Sequence, residues 1–211
     1  MSNASSPKVN RQSVQKRTIQ AEVFRRDDDL WDIEAELLDV KGIEFKLAAG
    51  PRAAGLPIHR MRLTVTINNQ MDILAAKAES LDVPYPGQCD TIGPQYEQLV
   101  GLNLMRGFRS AVKERFAGIK GCTHISELCN ILPTAAVQAF AGILYKIADY
   151  HTEHETAEKK PQAAQMPFQL NRCHALRTDG EAVKKYHSVW YGAPLEPVEM
   201  PKMSSASKKT G

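Results

Sequence analysis

Apolar and polar residues alternate strictly over two neighbouring stretches early in the chain. Ile19, Ala21 and Val23 are interleaved with polar partners, and Trp31, Ile33, Ala35 and Leu37 repeat the pattern. A period of two sends every second side chain to one face, so each stretch reads as a half-buried strand. The acidic turn Asp27-Asp28-Asp29 joins them into a hairpin. A third alternating run places Met61, Leu63, Val65 and Ile67 opposite Arg62, Thr64 and Thr66 and ends at Asn68-Asn69. Short amides tolerate positive φ, so a fourth strand over about 71–80 folds back from there. Four antiparallel strands with one apolar face need a cover on that face.

The period then lengthens to three and four. Pro94 suits a first helical turn, and Tyr96, Leu99, Val100, Leu104, Phe108, Val112 and Phe116 form the stripe of a long amphipathic helix, bent near Gly101 or Gly107. After Gly118 and Gly121 a second stripe runs through Ile125, Leu128, Leu132, Ala136, Ala139, Phe140, Ile143 and Ile147, with Thr123 as its cap and Pro133 as a kink. Its mostly apolar character marks it as the central helix. The expected fold is α+β: an antiparallel sheet of about four strands packed against two long helices, with a C-terminal lid segment. Residues 1–14 and 194–211 read as disordered tails, 15–151 as the α+β core and 152–167 as a charged, exposed linker. Residues 168–193, with a turn at Asp179-Gly180, form a last segment that packs on the core.

A chain of 211 residues with such ends fits one domain. The net charge of +3 is smaller than the seven positive charges of its two ends, Lys8, Arg11, Lys16, Arg17, Lys202, Lys208 and Lys209. The body is therefore slightly acidic, which removes the electrostatic case for nucleic acid. No apolar run reaches the roughly 18 residues of a membrane span, and no secretory leader is legible, so a cytoplasmic location without a membrane partner is expected. Cys89, Cys122, Cys129 and Cys173 are widely spaced, with no CxxC pair, and read as free thiols or metal ligands.

Several polar residues fall where the pattern expects apolar ones. His59 stands two residues before Met61, so alternation turns it toward the buried face, where a core hydrogen bond and a functional role are equally open. Gly121-Cys122-Thr123-His124 opens the central helix, whose unpaired N–H groups favour a thiolate or a bound anion. Cys129 lies on the apolar stripe and reads as core. Cys89, after the rigid Pro84–Gln88 turn, and Cys173-His174 in the last segment offer further sulfur and imidazole ligands for zinc or iron. Arg106 and Arg109, three apart on a helix, and Arg60, beside Arg62 on the strand face opposite His59, suit a carboxylate or phosphate, though surface ion pairing is the commoner fate of such residues. No P-loop, GxGxxG, GxSxG or HExxH motif occurs, so the nucleotide, dinucleotide, α/β-hydrolase and zincin readings lack their motifs.

The blocks RRDDDLWDIEAELLDVK, AGLPIHRMRLTVTI, GCTHISEL and RCHALRTDGEAV, in that order, resemble an uncharacterised bacterial domain-of-unknown-function family over roughly residues 17–190. The resemblance implies the fold and no chemistry. One departure is the first turn, where Asp28-Asp29 stands in place of the family's Asp-Gly. A looser architectural likeness to iron–sulfur scaffold proteins implies Cys89 and Cys122 as ligands together with His124; the scaffolds' adjacent His-Cys pair has no equivalent.

Three functions remain open at this point. The first is a lyase- or hydrolase-type enzyme acting on a small anionic substrate, aromatic or acyl, with His59 or His124 as acid or base, Cys122 as nucleophile or metal ligand, and Arg60, Arg106 or Arg109 neutralising charge. The second is a metal or iron–sulfur carrier using Cys89, Cys122, His124, Cys173 and His174. The third is a non-catalytic partner-binding module, anchored by Tyr186, Trp190 and Tyr191, for which homo-oligomerisation is one form.

Overall fold

The computed structural model describes residues 9–144 and 166–196. The chain divides into two compact units, Met1–Ala139 and Phe140–Gly211. Most of the linker and both outermost tails expected from the sequence lie outside the described residues.

The first unit is built on a four-stranded antiparallel sheet. Its strands are β1 (Gln15–Arg25), β2 (Trp31–Lys41), β5 (Pro57–Ile67) and β6 (Ile73–Asp82), in the spatial order β1-β2-β5-β6. A small hairpin of β3 (Phe45–Leu47) and β4 (Gly50–Arg52), not anticipated from the pattern, separates β2 from β5. The alternation of Trp31, Ile33, Ala35 and Leu37, and of Met61, Leu63, Val65 and Ile67, delivers all eight side chains to the buried face, where Leu37 pairs with Met61 and Ile33 with Val65. β1 follows the same alternation but lies at the sheet's edge, so Ile19 and Val23 are only half-buried and Ala21 is exposed.

Two turns depart from expectation in detail. Asp29 takes φ 62°, the left-handed conformation that glycine adopts most readily, which explains how an Asp stands at this turn. After β5 the positive φ belongs to Met71 rather than to either asparagine. The Asn68 side chain instead accepts hydrogen bonds from the Gln70 and Asp72 amides, while the Asn69 side-chain carbonyl accepts from the Trp31 indole.

The long helix expected over 94–116 is broken. Gly93–Leu99 is a 3₁₀ run, and helix α1 covers only Phe108–Phe116. Gly101 at φ 83° and Gly107 at φ 63° interrupt the helical path, and between them the backbone pairs with the sheet: the Ile73 amide donates to Leu102 and the Leu104 amide to Met71. Most of the apolar stripe still points inward, with Tyr96, Leu99, Leu104, Phe108, Val112 and Phe116 buried because 3₁₀ turn, loop and helix each present their share, but Val100, at the end of the 3₁₀ run, is exposed.

Helix α2 (Thr123–Phe140) is the long one. Ile125, Leu128, Cys129, Leu132, Ala136 and Phe140 form a fully buried seam at three- and four-residue spacing, and Pro133 lies within the helix. Its first hydrogen bond runs from the Ser126 amide to the Cys122 carbonyl, so Cys122 rather than Thr123 holds the cap position. Gly121 just before it approaches the backbone too closely for any side chain: an added Cβ would sit 2.6 Å from the Phe116 carbonyl oxygen.

The second unit contains helix α3 (Glu181–Tyr186) and a short turn at His174–Leu176. Asn171, at φ 58°, clamps it: its carbonyl oxygen accepts from the Thr178 amide and hydroxyl, and its amide donates to the Pro194 and Glu196 carbonyls.

Candidate functional site

The buried face of β2 stays apolar through Leu37 and then becomes charged. Asp39 comes next on that face and is only 3% exposed. Directly across the ladder is His59, and the pairing of β2 with β5 shifts register just beyond, between Asp39 and Val40. Bulges of this kind commonly re-aim side chains beside functional sites. His59 Nδ1 lies 3.2 Å from Asp39 Oδ2. From the first turn of α2, His124 brings Nε2 to within 3.6 Å of the same oxygen, and the two imidazoles stack with centroids 3.8 Å apart.

The position of His124 depends on Tyr96. Its hydroxyl donates to the Cys122 carbonyl at 2.8 Å, accepts from the Cys122 amide at 2.9 Å and meets Ser126 Oγ at 3.0 Å. The Tyr96 ring stacks on Phe116. One buried phenol thus fixes the start of α2, and burial pushes its pKa up to about 12.

Arg17 completes the cluster from the edge strand. Nε and Nη2 donate to the two oxygens of Asp39, each at 2.7 Å, and Nη1 reaches Glu127 of α2, also at 2.7 Å. Burial raises the Asp39 pKa, but the hydrogen bonds and charge of Arg17, helped by His59, outweigh it and hold the carboxyl below its ordinary range. Burial lowers His59 against the pull of Asp39, with Arg17 and Arg52 adding to the effect. His124 is lowered by burial and by the neighbouring His59 and Arg17. These directions favour the carboxylate as anion and the imidazoles as neutral rings, the forms in which such groups ligate a metal ion.

Among the described residues, Asp39, His59 and His124 form the group able to hold a metal ion, with one ligand atom from each lying within 4.8 Å of the others. Ligands about 2.1 Å from a tetrahedral ion stand roughly 3.4 Å apart; the two separations to Asp39, 3.2 and 3.6 Å, bracket that value, and the two imidazole nitrogens lie within 4.8 Å of each other. The second nitrogen of His124, Nδ1, lies 3.7 Å from Cys122 Sγ, so both edges of the ring have a polar neighbour. The cluster opens into a cavity of about 330 Å³ whose walls include Phe45, Leu47, Ile58 and Tyr85.

The other sequence candidates disperse. Arg60 and Arg62 are on the opposite face of the sheet, bonded to Glu36 at 3.1 and 3.3 Å, and so do not share a site with His59. Arg106 is exposed and reaches Asp72 at 3.5 Å; Arg109 is exposed on α1. Cys89 opens a short 3₁₀ turn and belongs to no ligand group among the described residues, which separates it from the set expected with Cys122 and His124. Cys173 is exposed and His174 begins a turn, both in the second unit. Cys129 is core, as its place on the stripe implies. Asp39 and Arg17 were missed. The available signal was that Asp39 continues the period of Trp31, Ile33, Ala35 and Leu37, so a carboxylate fell on an inward position.

A family model described as a protein of unknown function, DUF2889, matches residues 15–138. The chain belongs to the DUF2889 family. The matched segment holds every residue of the cluster, Arg17, Asp39, His59, Cys122 and His124, and stops just before the second unit, so the DUF2889 match is shorter than the 17–190 resemblance. Neither a curated protein nor a solved structure matches the chain. No helix among the described residues is long and apolar enough to cross a membrane.

Proposed function

We propose that this domain is a metal-assisted enzyme of lyase or hydrolase type, acting on a small anionic substrate, with Asp39, His59 and His124 holding a divalent zinc or iron ion. The observation that carries the reading is the convergence of one carboxylate oxygen and two imidazole nitrogens within 4.8 Å, beside a cavity large enough for a small molecule. Two imidazoles and a carboxylate suit zinc and iron(II), and three protein ligands leave room for water or substrate on the ion. Such an ion polarises a substrate oxygen or lowers the pKa of a bound water. Cys122 then acts as the group that orients His124. The carrier reading is weaker, because no cysteine belongs to the ligand group found among the described residues.

The test is elemental analysis of protein purified without air and without chelator. About one equivalent of zinc or iron per chain, lost in both Asp39→Asn and His59→Ala, supports the assignment. Folded wild-type protein that stays metal-free after reconstitution with either ion would sink it.

A further inference from the structure

We propose that the cavity beside Asp39, His59 and His124 takes a small monocarboxylate with a flat apolar body, Lys41 receiving the carboxylate and Phe45 and Tyr85 holding the body. The inference rests on reading this cavity as the active site and does not require the metal to be bound.

The inward face of β2 runs Leu37, Asp39, Lys41, and the rise of a strand sets Lys41 about 6.6 Å beyond Asp39. Two cations line the cavity, Arg17 and Lys41. Arg17 is fully engaged by Asp39 and Glu127. Lys41 is half-buried, donates at 2.8 Å to the neutral amide of Gln15, and has no carboxylate partner among the described residues. An ammonium held only by a neutral amide and an aromatic ring gains from a counter-ion. One cation without an ionic partner among the described residues calls for a single negative charge, whereas phosphate is better served by a guanidinium fork or several cations.

The body of the ligand is specified by what stands beside that charge. The Lys41 Nζ lies 5.1 Å from the centre of the Phe45 ring. Phe45 is 37% exposed and Tyr85 52% exposed, and both are wall residues of the cavity, so two aromatic surfaces face open space where a ligand would cover them. A volume near 330 Å³ is at the small end of ligand pockets and too small to enclose a dinucleotide or an acyl-coenzyme.

Titration calorimetry of the full chain in chelator, with benzoate, benzamide, acetate and inorganic phosphate as probes, tests this directly. Benzoate should bind about tenfold or more tightly than the neutral amide or the small acid. Lys41→Met should equalise benzoate and benzamide, and Phe45→Ala should bring benzoate down to acetate. The chelator strips any metal from the protein, so benzoate binding under these conditions is read independently of the metal assignment, and failure of one is distinguishable from failure of the other. Equal binding of benzoate, benzamide and phosphate, unchanged discrimination in Lys41→Met, or no benzoate binding at millimolar concentration would each overturn it.

Discussion

His59 and His124 stack face to face, 3.8 Å between centroids and 28° between planes, with one Asp39 oxygen in reach of both. Two imidazolium ions would repel at that separation, so the pair accepts at most one proton readily, and the proposed divalent ion would take the place of that proton.

Metal binding should therefore stabilise the fold. A ligand that binds only the native state adds about 2.7 kcal/mol when present at 100 times its dissociation constant. Zinc or iron(II) should raise the thermal midpoint of wild-type protein and leave that of Asp39→Asn unmoved. An equal rise in both proteins, followed by differential scanning fluorimetry, would place the ion elsewhere.

Removing Arg17 should uncover the cost of burying Asp39. Breaking a buried pair commonly costs several kcal/mol, and Arg17 is about one-third exposed, so Arg17→Met should lower stability by about 1–3 kcal/mol. Combining it with Asp39→Asn should recover part of the loss, because the charge then left without its partner, Glu127, is exposed rather than buried. Urea denaturation of the two single variants and the double variant measures this coupling.

Tyr96 carries a pH signature. Its folded-state pKa, pushed up to about 12, lies above the ordinary value of 10.0, so its contribution is complete below pH 10 and is lost as the pH rises toward 12. At pH 8, Tyr96→Phe should be less stable than wild type by about 1–2 kcal/mol for its lost hydrogen bonds. That gap should narrow between pH 10 and 12, since the variant has no phenol to ionise. A gap that stays constant over that range would contradict the buried-phenol account.

The four thiols should separate by reactivity. Cys129 is fully buried, and burial pushes its thiol up to about 12, while Cys89 and Cys122 are half-buried and Cys173 is exposed. At pH 8 a disulfide reagent should label no more than three thiols in the native protein and a fourth after denaturation. Cys129→Ser should abolish the late one. Uniform labelling of all four before unfolding would mean the α2 seam opens far more than its packing implies.

The sheet was legible because period-two alternation survives even where burial is uneven, as on β1. The helix over 94–116 was misjudged because an apolar stripe reports which side faces inward and not the backbone path; Gly101 and Gly107 carry the break, and a glycine in a helical pattern does not announce whether it bends or ends it. His59 stands out as a polar residue on an apolar strand face, and His124 through the Gly121-Cys122-Thr123-His124 opening of the central helix. Their meeting was not legible, since it follows from how α2 lies on the sheet, a long-range docking fixed by the Tyr96 hydroxyl. Asp39 was passed over because it ends a run, where polar residues are ordinary, and Arg17 because it looked like a tail charge.

Arg17 also ties the outermost strand to the centre of the cluster. It stitches β1 to Asp39 on one side and, 110 residues along the chain, to Glu127 on the other. Edge strands ordinarily fray first. Here the amides of β1 should exchange with solvent at a rate that follows what Asp39 is bonded to, so that slow deuterium uptake along this edge reports on the occupancy of a cavity that the strand only borders.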